Sequence, residues 1–253
     1  MLRAAAIAAG LTLAAALLAP GSTEARGPRR RSAHGLVVLA GERTPVRWID
    51  GDTFRIEGGS FAGRSARLVG VNTLETYGPV HRWAGMSPRA LLAVAKEAGP
   101  LAGARVRRCE AGGRRDRYGR LLVTCPDAAE DLVERGIAMV FAVDAPADER
   151  LLAAQRRAQA ARLGMWAGGA PPLVPASVHS ADEPGLGPDG AYDRMVDTHT
   201  GAGVARPHAR RYAVCEEVCA GEGAARACMT YVPFERRYRD RPSCLRRAER
   251  REP

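Results

Sequence analysis

VRWIDGDTFRI, residues 46–56, places two strand-like runs on either side of one tight turn. Asp50-Gly51-Asp52 is turn chemistry, and a turn at this point would hold two carboxylates near one end of a small β-barrel. Asp-Gly turns occur on many surfaces, so the stretch gains meaning from what surrounds it.

Outward from this turn the chain reads as short strands punctuated by glycine. Residues 36–40, 43–49, 53–57 and 65–71 are predicted strands, and 105–110 with 119–124 form a further pair around the Gly-rich basic loop 111–117. Helices are predicted over 88–98, where Ser87 caps and Pro88 opens the first turn, over 128–136, and over 148–163, ending at Gly164 before Met165-Trp166. Strands concentrated early, with helices between and after them, predict an α+β, mainly β fold: a closed barrel decorated by helices, over residues 36–167. Residues 168–209 are rich in Gly, Pro and Ala with no apolar period, and read as a linker. Residues 210–253 read as a basic, cysteine-containing tail with Cys215, Cys219, Cys228 and Cys244.

At the other end, Met1-Leu2-Arg3 is followed by an apolar stretch and by the small residues preceding position 26. This is the pattern of a secretory signal peptide, residues 1–25, with cleavage after Ala25. Sixteen Ala-rich residues are short for spanning ~30 Å of hydrocarbon, so no stable membrane anchor is expected. The mature chain would be exported, periplasmic or extracellular, and residues 26–33 would be a disordered basic lead. All six cysteines follow the signal, which predicts three disulfides rather than metal ligation. A zinc site that includes His208 is the rival for the tail.

The net charge of +10 is uneven: +9 over 26–167 (24 basic, 15 acidic residues), −4 over 168–204 (1 and 5) and +5 over 205–253 (12 and 7). A basic core region suits a polyanion, because cationic side chains that neutralise phosphates release counterions. All but one of the basic residues are Arg, as codon bias alone could produce, so charge supports a nucleic-acid partner without establishing one.

Hydrolysing a phosphodiester requires oxygen ligands for a hard cation, a carboxylate beside the attacking water, and guanidinium groups on the phosphoryl oxygens. Three segments supply such groups: the turn at 50–52, SARLVGVNTLET (65–76) and RDRYGRLLVTC (115–125). Strand alternation sets Arg67 on one face with Val69 and Val71, apolar company in which an Arg needs an anionic partner, either a ligand or a carboxylate. Asn72, Thr73 and Glu75 gather at the far end of that strand. Arg120 opens the last strand, with Tyr118 two residues before it.

Taken together and in order, Asp-Gly-Asp-Thr, an Arg fifteen residues after Asp52, a Glu eight residues further, and Asp-x-Tyr-Gly-Arg resemble the staphylococcal-nuclease (thermonuclease) family over roughly residues 46–166. The resemblance implies a five-stranded OB-fold barrel with three helices and a secreted, Ca²⁺-dependent endonuclease. Its substrates would be DNA and RNA, single-stranded or frayed, cut with little sequence preference by a monomer. It further implies that Asp52, the Asn72 side chain and the Thr73 carbonyl hold Ca²⁺, with Asp50 behind them. Glu75 would activate water, Arg67 and Arg120 would clamp the phosphate, and Tyr118 would donate to a phosphate oxygen. The chain departs from the pattern in three places. Asn72 replaces an Asp, which removes a charge from the metal site. Leu74 replaces a Pro, and Ala142 stands where a base-stacking Tyr is expected, with Phe141 offset by one. A non-catalytic OB-fold module that binds nucleic acid is the alternative. Cys109 and Cys125, at the ends of the two hairpin arms, are the candidate barrel disulfide.

Overall fold

Strict alternation builds the barrel. Val46, Trp48, Phe54 and Ile56 are each at most 1% exposed, and they pack with Val37, Leu39, Leu68 and Val123 into one interior. The computed structural model describes residues 33–186 and 190–250, so the expected signal peptide lies outside the described residues. The elements run β1 (Ala33–Leu39), β2 (Glu42–Trp48), β3 (Thr53–Ile56), β4 (Ser65–Leu68), β5 (Gly70–Thr73), β6 (His81–Trp83), α1 (Pro88–Gly103), β7 (Arg107–Arg115), β8 (Leu121–Thr124), α2 (Pro126–Glu134), β9 (Ala138–Phe141) and α3 (Glu149–Ala160). There follow β10 (Leu173–Ser177), β11 (Ala191–Asp197), β12 (Gly203–His208), β13 (Glu217–Ala220), β14 (Ala227–Thr230) and α4 (Ser243–Glu249).

Strands β1-β2-β3-β4-β8-β7 form the closed barrel, with β4–β8 and β7–β1 parallel. Each of the six strand-like runs of the sequence contributes one strand to the barrel, which counts six where the family pattern implies five. The run 65–71 breaks in two, because Gly70 adopts a φ of 83° and turns β5 out of the barrel to pair with β9. Val69 is consequently 41% exposed, and the apolar company expected for Arg67 on that side is reduced to Val71. As expected, Ser87 caps α1, its hydroxyl accepting from the Ala90 N–H at 3.2 Å, and Pro88 opens the helix.

The segment after the barrel departs from its sequence reading. Residues 168–209 are not a linker: β10, β11 and β12 make a three-stranded antiparallel sheet. Its inner residues Val174 and Val196 share a core with Trp83, Leu91, Met139 and Trp166. Apolar period was missing because β11 turns an acid inward. Asp193 is 6% exposed and accepts from the Tyr212 hydroxyl at 2.6 Å, with His208 at 3.2 Å.

The tail is not a separate appendage either. Strand β14 pairs with β6, giving the sheet β13-β14-β6, and α4 packs Leu245 onto Leu92 of α1 beside Val80 and Val232. His81 of β6, buried, donates to the Pro175 carbonyl at 3.1 Å and ties this sheet to β10. Barrel, sheet and tail belong to one compact unit. The cysteines pair as Cys109–Cys125, Cys215–Cys244 and Cys219–Cys228. With all four tail cysteines bridged and His208 on Asp193, no thiolate remains for the zinc site considered above. No helix among the described residues is long and apolar enough to cross a membrane.

Candidate active site

The site grows from the turn at 50–52. Ile49 N–H donates to the Thr53 carbonyl at 2.9 Å and closes the turn. Gly51 is required there, since a Cβ would come within 2.7 Å of the Thr73 methyl and 2.8 Å of Ala98 Cβ. The turn therefore packs against β5 and α1, and Asp52 is driven inward to 4% exposure. One Asp52 oxygen accepts from the Thr73 N–H at 2.6 Å and from its hydroxyl at 2.9 Å; the other accepts from the Thr53 hydroxyl at 3.0 Å. A buried carboxylate needs a cation as well, and Arg67 supplies it through a direct ion pair.

Arg67 stands opposite Thr53 across the β3–β4 register. Besides Asp52, its guanidinium donates to Asn72 Oδ1 at 2.9 Å and to the Val71 carbonyl at 3.3 Å. The Asn72 amide in turn donates to the Thr73 carbonyl at 3.0 Å. Asp52, Asn72 and the Thr73 carbonyl, expected to hold a metal, are thus linked in one chain of contacts through Arg67 and the Asn72 amide. With Asp50 beside them the donors are all oxygen, which is the chemistry of a hard divalent cation. Such a cation would compete with Arg67 for Asp52 and Asn72. The other cluster of ligand-type side chains among the described residues, Glu217 with Cys219 and Cys228, is closed to metal by the disulfide.

Arg120 reaches the same rim from the β7–β8 loop. Its Nε donates to Asp116 at 2.6 Å and its Nη1 to the Thr53 hydroxyl at 3.3 Å. Asp116 also accepts from the N–H groups of Tyr118 at 2.9 Å and Arg120 at 3.0 Å, so it shapes the whole loop. Sequence reading gave it no role, although it is the Asp of Asp-x-Tyr-Gly-Arg. Tyr118 is 63% exposed, with its ring 5.4 Å from the Arg120 guanidinium.

Electrostatics bind the acids and arginines into one group. Burial pushes the Asp50 carboxyl up, while Arg67, the Thr53 N–H and Arg120 hold it down. Burial also lowers Arg67 to about 10, against the opposing charge of Asp50. Glu75 is raised by burial first and then by Asp50; Arg237, Arg67 and Arg120 oppose the rise, in that order.

Arg237 belongs to the tail and was missed individually, its only signal being the interleaving of Arg with Phe234 and Tyr238 in the sequence. It lies beside Glu75: a Cβ at Gly78 would sit 3.3 Å from Glu75 Oε2 and 3.4 Å from Arg237 Cδ. Its Nε donates to the Val232 carbonyl at 3.0 Å, and Arg241 bridges the Arg237 carbonyl at 2.7 Å and the Tyr77 carbonyl at 3.3 Å. Where a stacking Tyr was expected, the β11–β12 turn covers the chain instead: Ala142 exchanges hydrogen bonds with Gly201 and Gly203 at 2.8 and 2.6 Å.

No curated protein gives a significant match to the chain. Residues 65–168 match a family model described as staphylococcal nuclease homologue; the stretch contains Arg67, Asn72, Thr73, Glu75, Tyr118 and Arg120 and begins after Asp52.

Proposed function

From the premise that this chain, through residues 65–168, is a member of the staphylococcal nuclease homologue family, we propose that it is an exported, Ca²⁺-dependent endonuclease of DNA and RNA. The observation that carries the reading is the convergence of Arg67, Arg120 and the half-buried Glu75 around the Asp50–Asp52 turn. Arg67 and Arg120 come from different strands and would meet the phosphoryl oxygens, where planar guanidinium groups gain most as negative charge builds. Glu75 would take a proton from the attacking water, a role that needs its ionised form, which the three arginines favour. Asp52, Asn72 and the Thr73 carbonyl would hold Ca²⁺, which neutralises charge on the phosphate when bound. Arg67 must then turn from Asp52 to the substrate, and Asp116 keeps Arg120 in place meanwhile.

Contacts of this kind address backbone phosphate rather than base edges, which supports weak sequence preference. Three disulfides fit an oxidising compartment and support export. One observation favours the binding-module alternative: Asn72 accepts from Arg67 where the family pattern has a second carboxylate. Purified mature protein incubated with denatured DNA and with RNA, in Ca²⁺ and in excess chelator, decides between them. Cleavage in Ca²⁺ that stops on chelation is expected; binding without cleavage in either condition leaves the module.

A further inference from the structure

Beyond the rim, alternating rings and guanidinium groups continue along one surface. Arg120 lies 5.4 Å from the Tyr118 ring, and Arg117 lies 4.8 Å from that ring and 5.4 Å from the ring of Tyr192. Arg194 then lies 5.3 Å from Tyr192 and 5.9 Å from Phe141. The order Arg120, Tyr118, Arg117, Tyr192, Arg194, Phe141 is thus a ladder that starts at the candidate active site. Tyr192 and Arg194 come from β11, beyond the stretch matched to the family, and Phe141 at the far end comes from β9.

We propose that this ladder is an extended subsite for single-stranded nucleic acid, holding the nucleotides that flank the scissile phosphate; the inference rests on the nuclease reading. A guanidinium stacked on a ring is fixed by its face, and its N–H edge remains for phosphate oxygens. Arg117 and Arg194 make no ion pair with a carboxylate among the described residues, unlike Arg67 on Asp52 and Arg120 on Asp116. Arg117 donates to the neutral Tyr118 hydroxyl at 2.6 Å, so a polyanion would meet a charge that no carboxylate neutralises. Tyr118 and Arg117 are exposed, and Tyr192, Arg194 and Phe141 are half-buried, so the cation edges and ring rims along the ladder can meet a strand. Alternating aromatic and cationic side chains are how sequence-tolerant single-strand sites grip bases and backbone together. The ladder also accounts for Ala142: the stacking position there is closed by the β11–β12 turn, and the same sheet offers Tyr192 instead.

The test measures binding of a fluorescein-labelled decathymidylate to the full-length mature protein in chelator, across a salt series. Arg194→Ala and, separately, Arg117→Ala are each expected to weaken Kd about tenfold. Each should also reduce the magnitude of the log–log salt slope by roughly 0.7, the value of one single-strand phosphate contact. Arg194→Lys should keep the slope and recover part of the affinity. Thermal unfolding of each variant checks that the fold is intact, and the exposed Arg117 provides a variant at little risk of misfolding. Unchanged Kd and salt slope in both alanine variants overturn the ladder while leaving the nuclease reading in place. Wild-type binding with the expected variant losses, but no cleavage under any metal condition, supports the ladder and overturns the nuclease. A wild type that does not bind the oligonucleotide overturns the ladder.

Discussion

The barrel rim and the segment after Trp166 bring positive charge to one region of the surface by opposite means. On the rim each guanidinium is answered by an acid, Arg67 by Asp52 and Arg120 by Asp116, and the pairs are largely buried. In the appended segment Arg194 rests on the rings of Tyr192 and Phe141, and Arg237 on the Val232 carbonyl with Phe234 at 5.9 Å, while Arg210 and Arg241 pair with Glu216 and Glu249 away from these rings. Buried pairs are geometrically fixed and costly to disturb, which suits groups that must act at one atom. Stacked, half-open cations are available at once, which suits attraction and holding. On the proposed function, chemistry falls to the rim and grip to the addition, a contrast that experiment can break.

The largest effect should come from the rim. Arg120→Ala is expected to lower kcat on single-stranded DNA on the order of 10³-fold, as for loss of one preorganised donor to a developing charge. A loss confined to KM would place Arg120 with the gripping residues and dissolve the contrast.

The seam between the regions comes next. Burial lowers the His81 pKa to about 4, below its ordinary value near 6.5. The unfolded chain then binds the proton more tightly, so stability is full above about pH 6.5 and falls as pH drops towards 4, by roughly 3 kcal/mol in total. Urea unfolding at pH 7 and pH 5 measures this, and His81→Gln should flatten the difference. An equal slope in that variant would remove His81 as the joint between β6 and β10.

A smaller effect should separate Arg237 from the rim arginines. Its charge is the strongest of the three that hold Glu75 down, so Arg237→Ala should raise the Glu75 pKa further. A base works ionised, hence the acidic limb of the kcat/KM profile should move to higher pH, with the plateau rate changed far less than in Arg120→Ala. A profile superposable on wild type would show that Arg237 serves the tail alone.

Legibility in the sequence follows the same division. The barrel could be read because alternating residues such as Val46, Trp48, Phe54 and Ile56 record burial directly, and because the motif spacing keeps Asp52, Arg67, Glu75 and Arg120 in order. Asp116 was hidden in plain view, since an acid in a loop looks solvated until its three donors are seen. The sheet at 173–208 was misread because Asp193 interrupts the apolar period, and its partners Tyr212 and His208 are distant in sequence. Arg237 could not be placed beside Glu75 without the β14–β6 pairing, a contact across some 150 residues that no local pattern encodes.

Glu75 separates a nuclease from a binding surface, which has no need of it. The kcat of wild type and Glu75→Gln on single-stranded DNA in Ca²⁺, measured with the Kd for an uncleaved oligonucleotide, gives the answer. A fall in kcat of about 10²-fold or more with Kd nearly unchanged is expected of a nuclease. Equal kcat in the two proteins would remove Glu75 from the chemistry.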